Sequence, residues 1–97
     1  MIYFDGACKK RLGSGGFYIQ KQGKIILAAF TYYGKEAPTN NKAEMQAVTD
    51  AIDLFMNQNY PIKRGESVNI IGDSKLVIQF LRREYRPGDN FFVIRVS

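Results

Sequence analysis

The stretch Thr39-Asn40-Asn41-Lys42-Ala43-Glu44-Met45-Gln46-Ala47-Val48 marks a change of period, and that change decides the fold. Thr39, Asn40 and Asn41 are all residues that cap helices. After them Ala47, Val48, Ala51, Ile52 and Phe55 recur at helical spacing, which predicts a helix from about Lys42 to Gln58. Upstream the period is two. Ile2 to Cys8 reads as a strand, with Ile2 and Phe4 on one side and Tyr3 and Asp5 on the other. Lys9 to Gly16 reads as a basic, glycine-rich loop and Gly16 to Lys21 as a second strand. Gln22-Gly23 signals a turn, and Lys24 to Tyr33, rich in β-branched and aromatic residues, is a third strand. Such short connections predict an antiparallel meander.

Downstream of the helix, Pro61 to Glu66 is a loop and Val68 to Ile71 a short apolar strand buried on both faces. Asp73 or Ser74 caps a second helix carrying Leu76, Val77, Phe80 and Leu81, which Arg86-Pro87-Gly88-Asp89 ends. In the tail, Phe91, Val93 and Ile94 fit the start of a helix. Phe92, Ile94 and Val96 alternate as a strand does, and the reading leans to the strand. The expected architecture is α/β: a mixed sheet of three antiparallel strands plus one or two parallel strands, with helices packed on it, as one domain over residues 1–97.

Composition narrows the chemistry. The chain of 97 residues has a net charge of +5, which favours polyanionic partners such as nucleic acid. It has no histidine and one cysteine, Cys8. That excludes Ser-His-Asp and Cys-His catalysis, an imidazole zinc site and an internal disulfide. The start has no signal-peptide pattern, and the longest apolar run, Ile25 to Phe30, is far too short to cross a bilayer. A soluble intracellular protein is the expectation.

Chemistry then rests on carboxylates. Asp5 lies on an apolar strand, where aspartate is disfavoured, although Asp5-Gly6 is also a turn signal. Glu44 stands three residues after Asn41, as in a capping box, yet it also leads the apolar stripe of the helix. Asp73 follows the buried strand directly, where sites form in open α/β sheets, and is equally a good N-cap. On a βββαβ framework all three can converge on one patch. Two such charges ~4 Å apart repel by ~4 kcal/mol at an effective dielectric near 20. A divalent cation with a preference for oxygen ligands removes that repulsion.

In these segments the chain resembles a type I ribonuclease H domain. The matching pieces are Tyr3-Phe4-Asp5-Gly6-Ala7-Cys8, the stretch ending Gly13-Ser14-Gly15-Gly16, Thr39-Asn40-Asn41-Lys42-Ala43-Glu44, and Gly72-Asp73-Ser74. The resemblance implies magnesium-dependent endonucleolytic cleavage of the RNA strand of RNA–DNA hybrids, with manganese as a substitute ion. It makes Asp5, Glu44 and Asp73 catalytic metal ligands. It also makes Asn40 and Asn41 contacts to the hybrid, where amides reach the 2′-hydroxyls of the minor groove. Lys75 stands where bacterial members often carry glutamine and is expected to contact the substrate backbone. Lys9, Lys10 and Arg11 are read first as a solvated basic loop that adds phosphate attraction.

The chain departs from the family pattern at its end. A fourth carboxylate on a late helix, with a histidine loop nearby, has no counterpart here, and Asp89 does not match it in setting. The expectation is a domain that lacks the family's C-terminal helix. A homodimer or a protein partner would then cover the exposed core. Two readings follow: a hybrid-cleaving nuclease, or a non-catalytic ribonuclease H-like module that binds nucleic acid or protein. A phosphate-binding loop at Gly13 to Gly16 is disfavoured, because the P-loop Gly-Lys-Ser/Thr ending is missing.

Overall fold

The computed structural model describes residues 1–57, 68–84 and 92–96. Its elements are β1 (Ile2–Lys9), β2 (Leu12–Lys21), β3 (Lys24–Gly34), α1 (Asn40–Asn57), β4 (Val68–Gly72), α2 (Lys75–Glu84) and β5 (Phe92–Val96). They form one five-stranded sheet in the order β3-β2-β1-β4-β5. The β1–β2 and β2–β3 pairs are antiparallel hairpins, while β1–β4 and β4–β5 are parallel. The tail is a strand, as its alternation predicts, and it is the second parallel strand. The loop expected at Pro61 to Glu66 and the stop at Arg86 to Asp89 lie outside the described residues.

Period-two burial in β1 and β2 and period-3.6 burial in the helices meet in one core. Ile2, Phe4, Phe17 and Ile19 point from the sheet toward Ala47, Val48, Ala51, Ile52 and Phe55 of α1, with Ile70 from β4 and Val77, Ile78 and Leu81 from α2 closing the cluster. Burying each of the larger aliphatic side chains contributes about 1.5–3 kcal/mol. The opposite face of the first three strands is open. Tyr3 stacks on Tyr18 there, with ring centroids 4.7 Å apart. On β3, the sheet's outer strand, Ile25, Phe30 and Tyr32 are 60%, 77% and 66% exposed. Neither described helix is long and apolar enough to cross a membrane.

One expectation is corrected. Lys9 to Gly16 is not a loop: β1 runs through Lys9, β2 starts at Leu12, and the turn is Lys10-Arg11 alone. Both turn residues are left-handed, at φ 53° and 61°. The glycines belong to β2, where Gly15 pairs with Gly6 and Gly13 with Cys8. They are there for close packing, not for turning. A Cβ on Gly6 would run into the Ala43 and Glu44 backbone, and one on Gly15 would press the Ala47 Cβ and the Tyr33 ring at 2.9 Å. Helix α1 therefore lies directly on the glycine pair, which brings Glu44 down to the level of β1.

Candidate metal centre

Each carboxylate is delivered by a different element. Asp5 stands on the open side of β1, in the strand and not in a turn, and its Oδ1 accepts the Gly6 N–H at 2.9 Å. The last parallel pair between β1 and β4 is Tyr3–Ile71, so the register carries Asp5 toward Asp73 two residues on. Gly72 lets that approach happen, since a Cβ there would meet the Phe4 ring.

Asp73 and Glu44 are both relieved of the capping duties that their sequence settings allow. In α2 the cap is Ser74: its Oγ accepts the Val77 N–H at 3.4 Å and its carbonyl the Ile78 N–H at 3.0 Å. In α1 the cap is Thr39: its Oγ1 accepts the Lys42 N–H at 3.1 Å and its carbonyl the Ala43 N–H at 3.0 Å. Glu44 lies two residues beyond the capping-box position and turns inward with the apolar stripe. It is the buried charged residue among those described, at 9% exposure, and its Oε2 has no hydrogen-bond partner.

One ligand atom from each of Asp5, Glu44 and Asp73 falls within 4.8 Å of the others. Burial raises the pKa of Glu44 and the charges of Asp73 and then Asp5 raise it further, outweighing the opposing influence of the nearby Ser74 hydroxyl. A buried carboxylate oxygen without a donor, facing two more carboxylates, is poorly placed by itself. A hard divalent cation satisfies all three at once. The donor set fits such an ion.

The asparagines tie this site together. Asn40 Oδ1 accepts the Cys8 N–H at 2.8 Å, fastening the start of α1 to β1. Asn41 Oδ1 accepts the Ser74 hydroxyl at 3.2 Å, fastening it to the start of α2. With both carbonyl oxygens engaged, the amide Nδ2 groups remain as hydrogen-bond donors. Lys75 opens α2, exposed, two residues from Asp73. Ser74 is the site residue that helix periodicity misses; the signal for it is its place after Asp73 at a strand–helix junction. A second polar tie, also unread in the sequence, joins β3 to α1. Tyr33 Oη donates to Asp50 Oδ2 at 2.8 Å, and Gln46 Nε2 donates to Asp50 Oδ1 at 3.0 Å. Burial, then the hydrogen bond to the Asp50 carboxylate, pushes the Tyr33 pKa well above its ordinary value.

A mixed sheet in which the central strand, the residue after its parallel neighbour and the first helix each give one carboxylate to a common cluster defines a class: α/β proteins with an acidic site on the sheet. Comparison with known proteins narrows it. The chain matches the RNase H family over residues 1–87, and it belongs to that family. Its relatives include the protein named Ribonuclease H in Cupriavidus metallidurans, 38% identical over 80 residues, covering 78% of this chain and 47% of the relative. Another is the Ribonuclease H of Thiobacillus denitrificans, 34% identical over 91 residues, covering 90% of this chain and 53% of the relative. The chain thus spans about half the length of the curated relatives it matches. Among solved structures, LC11-RNase H1 in complex with an RNA/DNA hybrid superposes with a TM-score of 0.75. That match has 21% identity and covers 99% of this chain and 83% of the other. It shows a common fold.

Proposed function

We propose that this chain carries a ribonuclease H active site, which cleaves the RNA strand of RNA–DNA hybrids endonucleolytically with magnesium held by Asp5, Glu44 and Asp73. The observation that carries the reading is the orphaned Glu44 Oε2 inside the carboxylate cluster of a chain of this family. Bound at these residues, magnesium, or manganese in its place, supplies the charge that lowers the pKa of an attacking water and stabilises the leaving oxygen. The protein's part is positional. Asp5 lies on β1, Asp73 directly follows the parallel strand β4 that pairs with it, and Glu44 lies on a helix seated on the glycine pair, an arrangement that supports a ligand set built before substrate arrives. Asn40 and Asn41 present amide donors toward the minor-groove 2′-hydroxyls of the hybrid, which distinguish the RNA strand from DNA. Lys75, exposed at the start of α2 two residues after Asp73, supplies a phosphate contact.

The test is incubation of the protein with end-labelled hybrid, single-stranded RNA and duplex DNA in magnesium. Cleavage confined to the RNA of the hybrid, and lost on Asp73→Asn, is the expected result. A second reading is a hybrid-binding module without cleavage, favoured by a set of three carboxylates among the described residues where the family resemblance implies four. It predicts hybrid binding without cutting in either magnesium or manganese.

A further inference from the structure

The two hairpin turns of the meander differ in a way that folding alone does not explain. Both are two-residue turns with both residues left-handed, the geometry for which Asn-Gly or Asp-Gly is preferred. The β2–β3 turn is Gln22-Gly23, at φ 52° and 79°, with glycine in one of the two strained places. The β1–β2 turn is Lys10-Arg11, at φ 53° and 61°, with a long cationic side chain in both. Left-handed backbone is unfavourable for such residues. A strained conformation held by charged residues is an observation from which function is inferred.

Position makes the inference specific. The Lys10-Arg11 tip stands at the end of the sheet where α1 begins. Cys8, just before it, donates to Asn40, and Gly13, just after it, lies so close to Ala37 that a Cβ would strike the Ala37 carbonyl. The tip is thereby joined to the segment running from Lys35 to Lys42. These two neighbouring segments expose Lys9, Lys10, Arg11, Lys35 and Lys42 against a single carboxylate, Glu36. None of the five cations is in an ion pair with a described residue. Lys9 is four residues along β1 from Asp5, about 14 Å at ~3.4 Å per residue. A strand crossing the carboxylates toward this end would bring phosphates to the tip a few nucleotides from the point of cleavage.

We propose that the Lys10-Arg11 hairpin tip, with Lys9, Lys35 and Lys42 beside it, is a phosphate-backbone clamp for the nucleic acid that enters the carboxylate site. The clamp rests on the hybrid reading above. It acts through charge, independently of base sequence, and offsets the repulsion between phosphates and the acidic cluster.

The decisive variant carries Lys10→Asn and Arg11→Gly together. It places preferred residues in the turn, so its thermal midpoint is expected to hold or rise while two cations are lost. Hybrid binding is measured by fluorescence anisotropy over a salt series without divalent metal, so that nothing is cut. The slope of log Kobs against log salt is expected to become shallower by about 1.8, at roughly 0.9 per phosphate contact. Lys21→Asn with Lys24→Asn, flanking the opposite turn, is expected to leave the slope unchanged. An unaltered slope in the Lys10-Arg11 variant, or an equal change in the Lys21-Lys24 variant, overturns the clamp while leaving hybrid binding in place. Failure of the unaltered protein to bind hybrid at all overturns the functional reading and the clamp with it.

Discussion

Glu44 is the residue on which the site turns. Its folded-state pKa lies above 4.5, because burial and the charges of Asp73 and Asp5 disfavour the anion. The group therefore contributes stability that is fully present below its unfolded pKa and is lost as pH rises through the folded one. In metal-free solution the thermal midpoint should fall as pH climbs from about 4.5 toward neutrality. Glu44→Gln, nearly isosteric, should flatten that fall and raise the neutral-pH midpoint by a few degrees, as read by calorimetry. The same variant should lose the response to magnesium. Gly6 is the residue that lets Glu44 reach this place. Gly6→Ala pushes a methyl group into the Ala43–Glu44 backbone and should cost about 1–3 kcal/mol in urea unfolding, with metal affinity falling too because α1 must move.

At the scale of elements, the strands and helices were legible because their periods differ and their boundaries carry capping residues. The helix expected from Lys42 to Gln58 is Asn40–Asn57, and the ambiguous tail is the strand that its alternation favoured. The misread segment was Lys9 to Gly16, where glycines suggest a loop. Their real cause, the approach of a helix that begins at Asn40, is a tertiary contact invisible to local pattern. The three carboxylates could be singled out in the sequence, but the local settings of Glu44 and Asp73 also fit caps. Only the structure gives those caps to Thr39 and Ser74 and leaves the carboxylates unspent. The joints between elements are equally open to test. Asn40→Ala deletes the acceptor for the Cys8 N–H that pins α1 to β1. The expected cost is about 1 kcal/mol, with faster amide exchange at Cys8.

For the whole molecule, a divalent cation held by Asp5, Glu44 and Asp73 as proposed would also link three separate elements. An ion that binds only the folded state stabilises by RT ln(1 + [L]/Kd). Magnesium should therefore raise the unfolding midpoint steadily with concentration, and calcium-free, magnesium-free protein should sit at the lowest value. A midpoint that stays flat into the tens of millimolar would argue against a metal centre at Asp5, Glu44 and Asp73.

The outer strand β3 has a bearing on how the protein behaves at the bench and in the cell. From Ile25 to Gly34 it carries ten residues without a charge or a proline, and it presents Ile25, Phe30 and Tyr32 to solvent. Long, flat, uncharged edges of this kind are templates for uncontrolled strand addition, which proteins usually guard against with lysine, proline or shortness. Only the irregular pairing with β2, shifted between Gly13 and Ser14 and again between Ile19 and Gln20, breaks its regularity. Concentrated or partly unfolded samples should consequently precipitate through this segment first. Phe30→Lys, on the open face and away from the core, should raise solubility in turbidity assays and leave the magnesium response intact. The sheet margin that contributes no carboxylate to the cluster is thus the one expected to limit how much of the protein can be kept in solution.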